Sequence, residues 1–219
     1  LQGSENLRNI GIPEFDTCRK QHVTGEEVHR DYRRLIVDVA DPHEVSVVDI
    51  VNAHLSQKQC SINFFMVWST VASSFSPRDF RSVESVFKHH PLACVVVFSS
   101  TLDGQVFGSL TNLEYSVIIV PLDVHHLLLG TKAEQWLVGL HRWREQRNFH
   151  SNISNAVRKA ALLRWGGVYI DFDVIVLKPI TVRNALAWMD TDLWLNGGVM
   201  VFDAGHKFLE ICLAGVNVL

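Results

Sequence analysis

The sequence predicts an α/β fold built on a mainly parallel β-sheet with helices on both faces. Three observations carry that expectation. From Ile62 onward, short β-rich runs alternate with helix-patterned stretches, and such alternation builds parallel sheets through crossover helices. The richest apolar runs, Ala93 to Phe98 and Ser116 to Leu122, have the length of strands, and none approaches the roughly 18 residues that a membrane-spanning helix requires. The composition of the 219 residues, 47% hydrophobic and 20% charged, is that of an ordinary globular protein and excludes disordered or collagen-like chains. At roughly 100–200 residues per domain, the length suits one domain with a short extra segment. A formal net charge of −3, from 20 Lys+Arg against 23 Asp+Glu, supplies no broad positive field for a nucleic-acid backbone.

Residues 1–61 read as a stem or peripheral segment: polar patches, a charged helix-like run from Gly25 to Leu35, then an irregular apolar stretch from Val37 to Leu55. The main domain is expected over residues 62–219. Its first strand is Ile62 to Trp68, followed by a helix from Pro77 to His90 with Ser76 as N-cap and proline in the first turn. Phe80, Val83, Val86 and Phe87 share one face of that helix, which is the face expected on the sheet. Ala93 to Ser99 and Tyr115 to Leu122 read as strands, and Thr131 to Phe149 as a helix with Trp136, Leu137, Leu140 and Trp143 at helical spacing. Its arginines read as a solvated face. Cys18, Cys60, Cys94 and Cys212 show no C-x-x-C spacing, which disfavours a structural zinc site; buried free thiols are expected, with disulfide pairing left open.

The chemistry concentrates between Ser154 and Pro179. Ser154 to Trp165 reads as a helix of good formers behind a serine cap, ending at Gly166-Gly167. The first glycine is free to take a left-handed C′ conformation, and the second lets backbone or ligand approach closely. Val168 to Leu177 then alternates like a strand. On a strand, Asp171 and Asp173 project from one face with Cα atoms roughly 6.5–7 Å apart. Two carboxylates in apolar surroundings repel each other unless a cation or donors compensate, and oxygen-only ligation favours Mn²⁺ or Mg²⁺ over zinc. A bare D-x-D is common in chains of this length. The capped helix with its arginine, the Gly-Gly, the aromatic and the flanking apolar runs make the composite specific.

At these residues the sequence resembles the DXD-containing sugar-transferase family that includes α-1,4-galactosyltransferases and α-1,4-N-acetylglucosaminyltransferases, with plant-type relatives most similar. The resemblance runs from about Ile62 through Ser82-Val83-Glu84-Ser85, His90-Pro91, Pro121-Leu122-Asp123, Trp136, Ser154 to Lys178, and Leu195-Asn196-Gly197-Gly198 with Phe202. It implies a GT-A fold, a Rossmann-like sheet binding a nucleotide sugar. It implies a metal-dependent, retaining transfer of a hexose or N-acetylhexosamine from a UDP-sugar to a glycan or glycolipid acceptor.

By the same resemblance Asp173 is the better metal ligand, and Asp171 the better donor contact and second ligand. Arg158 resembles the family arginine that reaches donor sugar or phosphate, with a salt bridge supporting the aspartates as the competing reading. Gly166, Gly167, Asn196 and Gly197 are expected to border the donor, whereas Tyr169 and Trp165 read as packing residues. Asn155 stands where many animal relatives carry aspartate. The family's acceptor-binding region has no counterpart here, so the catalytic domain is expected to be C-terminally incomplete. Golgi residence as a type II membrane protein, with an anchor absent from this chain, follows from the resemblance alone. Two alternatives stay open: a non-catalytic nucleotide-sugar-binding relative, and a haloacid-dehalogenase-type phosphatase, in which the first aspartate of a strand-end D-x-D is the nucleophile.

Overall fold

A computed structural model describes residues 45–143, 146–188 and 195–215. Its sheet has six strands in the order β3-β2-β1-β4-β6-β5. They are β1 (Ile62–Val67), β2 (Ala93–Phe98), β3 (Ser116–Val120), β4 (Gly167–Ile170), β5 (Ala185–Trp188) and β6 (Leu195–Phe202). The pairs β1/β2, β2/β3 and β1/β4 are parallel, and β6 runs antiparallel to both β4 and β5. Among the described strands β6 alone is therefore reversed, and the sheet is mainly parallel as expected. From β1 the chain first builds outward to β2 and β3, then returns to lay β4 on the other side of β1. The strand order thus switches between β1 and β4, and it is at the carboxyl ends of such a switch that open α/β sheets generally bind ligands.

Each face is covered. On one side lie α1 (Val47–Lys58), α4 (Val124–Leu128), α6 (Phe149–Trp165) and α7 (Lys207–Gly215), packed on Phe65, Val96, Phe98, Tyr169 and Met200. On the other lie α2 (Pro77–His89), a 3₁₀ turn at Gly104–Phe107 and the short α3 (Gly108–Thr111), packed on Phe64, Met66, Val95, Val97 and Ile170. Strand alternation distributes neighbouring residues such as Phe64 and Phe65 to opposite cores. All six residues of β2 are buried, as a central parallel strand covered on both faces requires. The expected start of α2 is present, with the Ser76 N–H donating to Asp79 Oδ2 at 2.7 Å ahead of Pro77.

Residues 1–44 of the expected stem lie outside the described residues; in its remainder, α1 buries Val47 and Val51 in the core. Other expectations are corrected. The stretch expected as one helix from Thr131 is instead a 3₁₀ segment, Glu134–Gly139, followed by α5 (Leu140–Trp143), with Gly139, a poor helix former, at the junction. Helix α6 starts at Phe149, not behind Ser154, because Phe149 and Ile153 extend its buried face one turn earlier. Cys60 and Cys94 are not buried thiols but form a disulfide, their Cα atoms 5.5 Å apart where β1 and β2 begin side by side. Cys212 is free and half-buried.

Candidate active site

The expected strand from Val168 to Leu177 ends early. β4 stops at Ile170, and the Val174 N–H donates to the Asp171 carbonyl at 3.1 Å, folding residues 171–174 into a turn. Asp171 and Asp173 therefore owe their arrangement to this turn and not to strand alternation. Between them, buried Phe172 meets Trp68 and Phe75 edge-on, at centroid distances of 5.4 and 5.5 Å. The aromatic anchor leaves Asp173 exposed, and no described residue pairs with its carboxylate.

Asp171 is held firmly. Its backbone N–H donates to the Gly198 carbonyl at 2.9 Å, which ties the turn to β6. Its Oδ1 accepts from the Tyr169 hydroxyl at 2.7 Å and lies 3.2 Å from Arg158 Nη2. Arg158 sits one turn past Ser154 on α6, donating from Nε to the Ser154 carbonyl at 3.2 Å and from Nη2 to its hydroxyl at 2.7 Å. Its guanidinium carbon lies 4.5 Å from the centre of the Tyr169 ring, a cation–π contact. Only 8% exposed, Arg158 is a nearly buried charge whose cost is offset by Asp171 and the ring. Burial, above all, pushes the Tyr169 phenol far above its ordinary pKa, with Asp171 adding to the rise and Arg158 opposing it. The hydroxyl thus stays protonated and keeps donating to Asp171. In this geometry Arg158 makes the salt bridge to the aspartate that was one of its two expected roles.

The Asn196-Gly197-Gly198 run of β6 passes against this network. Asn196 Oδ1 accepts from the Gly198 N–H at 2.7 Å. A Cβ on Gly197 would stand 2.9 Å from Arg158 Nη1, and one on Gly198 2.9 Å from Asp171 Oδ2. These two glycines make room for the charged pair. Gly166 and Gly167, expected beside the donor, lie instead at the amino end of β4, away from Asp171. A Cβ there would come 2.6 Å from the Ala204 nitrogen or 2.4 Å from the Asn63 carbonyl, and both residues have positive φ, +62° and +114°. With ψ at 175°, Gly166 is outside the left-handed helical region expected of it, in a conformation open essentially to glycine alone.

Of the expected site residues, the structure brings together Asp171, Arg158, Asn196 and Gly197, sets Asp173 on the adjoining turn, and leaves Gly166 and Gly167 apart. The sequence reading missed Ser154 as a partner of Arg158, taking it for a helix cap, and read Tyr169 as packing only. Tyr169 does pack, fully buried, but its position two residues before Asp171, on the same face, was a signal for the contact it makes. Trp165 packs as expected, stacked on Phe65 at 5.6 Å. Asp123 caps α4 by accepting from the His126 N–H at 3.0 Å. At the carboxyl ends of β2 and β3 a recess of about 430 Å³ is lined by Ser99, Ser100, Gly104 and Pro121 among others.

Residues 76–195 match a family model described as "Glycosyltransferase sugar-binding region containing DXD motif". An uncharacterised protein of Arabidopsis thaliana is 35% identical over 217 residues, covering 97% of this chain and 34% of the relative. The lactosylceramide 4-alpha-galactosyltransferase of Rattus norvegicus is 33% identical over 140 residues, covering 60% of this chain and 38% of that one. The human alpha-1,4-N-acetylglucosaminyltransferase is 31% identical, with 60% and 41% covered. The chain spans between a third and two fifths of the length of these relatives. Among solved structures, a chain of the PaToxG glycosyltransferase superposes with a TM-score of 0.44 at 15% identity, covering 75% of this chain and 65% of that one.

Proposed function

The chain belongs to the family of glycosyltransferase sugar-binding regions containing a DXD motif, and from that premise we propose that it forms the donor site of a metal-dependent, retaining glycosyltransferase. The donor is a UDP-sugar and the group moved a hexose or N-acetylhexosamine. The acceptor is a glycan or glycolipid hydroxyl, joined in an α-1,4 linkage by analogy with the galactosyl- and N-acetylglucosaminyltransferase relatives. One observation carries the reading: just past the carboxyl end of β4, at the strand switch, Asp171 is locked by Tyr169 and Arg158 while Asp173 faces solvent with no partner among the described residues.

The donor set fits a hard divalent cation. It offers carboxylate oxygens only, the ligands that such ions favour. Asp173 and Asp171 would hold a Mn²⁺ or Mg²⁺ ion together with diphosphate oxygens of the donor. When bound, it neutralises charge on the departing nucleoside diphosphate. Tyr169 and Arg158 fix the orientation of Asp171, with Oδ1 engaged and Oδ2 turned toward Gly198 of β6. The recess beyond β2 and β3 is assigned to the nucleoside, and Asn196 and Gly197 to the rim of the sugar pocket.

Asp171 follows the fourth strand of a chain that belongs to a glycosyltransferase family, so the phosphatase alternative has no remaining support. No described helix is long and apolar enough to cross a membrane; a Golgi location behind an N-terminal anchor remains part of the proposal, carried by the family resemblance. Calorimetric titration with UDP in the presence of Mn²⁺ is the direct test. Wild type is expected to bind and Asp173→Ala to lose the metal-dependent component; equal binding by both overturns the metal assignment.

A further inference from the structure

The turn that carries Asp173 has two attachments, and only one of them belongs to the sheet. On the β4 side, the Asp171 N–H is paired with β6. Beyond the turn the chain runs on without regular secondary structure, so its buried backbone groups need partners from elsewhere. Three side chains from α2 and its end supply them, from residues about ninety positions earlier. The Ser82 hydroxyl donates to the Val174 carbonyl at 2.5 Å. The Val176 N–H donates to the Ser85 hydroxyl at 2.9 Å, and that hydroxyl in turn donates to the Ser82 carbonyl at 2.6 Å. The Ile180 N–H donates to His90 Nε2 at 2.9 Å.

Ser82 and Ser85 stand three residues apart, on one face of α2, and both are buried. His90 packs on Phe64 at 5.2 Å between ring centroids. Burial, and after it the neighbouring His89, lower its pKa and so favour the neutral ring, while the Ile180 N–H directed at Nε2 makes that nitrogen the acceptor. Val174 and Val176 pack into the same core as the apolar face of α2, so the hydrogen bonds lock a segment whose side chains are already seated.

We propose that Ser82, Ser85 and His90 form a clamp on the backbone of residues 174–180 that positions the Asp171 to Val174 turn, and with it Asp173, for the metal and donor diphosphate. The proposal rests on the donor-site reading above. The three are positioning residues: Asp173 is suspended between Asp171, fixed by β6, and Val174, fixed by Ser82. Loosening the second attachment lets the exposed carboxylate wander from the position set by the first.

The test compares Ser82→Ala, Ser85→Ala, His90→Phe and His90→Gln with wild type, in two measurements. The first needs no ligand: hydrogen exchange at the Val176 and Ile180 amides is expected to be slow in wild type, and to accelerate at Val176 in Ser85→Ala and at Ile180 in His90→Phe. The second is the Mn²⁺-dependent affinity for UDP. Ser82→Ala and His90→Phe are expected to weaken it by about three- to ten-fold, the worth of one hydrogen bond. His90→Gln, which presents an amide oxygen in place of Nε2, is expected to restore it. Leu213→Ala, a cavity in the opposite core, controls for general destabilisation and is expected to lower Tm while leaving the UDP affinity unchanged. Should the Ser82 variant not fold, the His90 pair carries the comparison. Unchanged exchange at both amides, or weakened UDP binding that tracks Tm equally in Leu213→Ala, overturns the clamp while leaving the donor site standing. Accelerated exchange in the variants with no UDP binding by wild type overturns the donor-site reading, and with it the role given to the clamp.

Discussion

The chain contains two Gly-Gly pairs, one at each end of the chemistry, and they are glycine for different reasons. Gly166-Gly167 joins α6 to β4 where the backbone itself leaves no room: the nearest obstacles are the Ala204 nitrogen and the Asn63 carbonyl, and both φ angles are positive. Gly197-Gly198 lies on β6, with neither φ in the left-handed region, and its obstacles are the ends of two candidate-site side chains, Arg158 Nη1 and Asp171 Oδ2. The first pair is required by the backbone and the second by the charged pair of the candidate site. Identical dipeptides thus acquire opposite meanings from what faces them.

That contrast can be broken by substitution. The largest effect is expected for Gly167→Ala, which drives a Cβ to 2.4 Å from a carbonyl oxygen at φ +114°. Backbone strain and overpacking together predict a loss of about 3 kcal/mol or more in urea unfolding; a loss below about 1 kcal/mol would show that β4 moves aside cheaply and that the first pair is not structural. Gly198→Ala comes next. It is expected to cost about 1–2 kcal/mol of stability while displacing Asp171 enough to weaken Mn²⁺-dependent UDP binding by about ten-fold or more. Full affinity in a folded Gly198→Ala protein would remove the distinction between the pairs. Smallest is Tyr169→Phe, which deletes one donor to Asp171 but keeps the ring under Arg158. A stability change of about 1 kcal/mol and a modest loss of UDP affinity are expected, read by the same two methods.

Local signals were legible where local physics decides. The continuous apolar run of β2 and the Ser76-Pro77 start of α2 read directly from sequence, because burial on two faces and helix capping each leave a short pattern. What failed was decided by distant partners. Val174, Ile175 and Val176 alternate like a strand, but the backbone of this segment bonds to Ser82 and Ser85 on α2. Ser154 looked like a helix cap, yet its hydroxyl serves Arg158 and approaches Tyr169 at 3.2 Å. Cys60 and Cys94 carry no spacing signature, since only the β1/β2 register brings them together. Within the site the carboxylates, the arginine and Asn-Gly-Gly were all visible beforehand. Their joint arrangement was not, because it depends on β6 running against β4, which no residue near either strand announces.

That reversed strand also governs the order of events as the chain is made. β6 is inserted between β4 and β5, although it is the last of the three to leave the ribosome. Until residue 202 has emerged, β4 presents a bare hydrogen-bonding edge and β5 has no neighbour to join. An Arg158–Asp171 pair formed at that stage lacks the wall of glycines that later confines it. Assembly of the proposed donor site therefore waits for β6, and a nascent chain arrested before it offers an open strand edge to chaperones or to self-association.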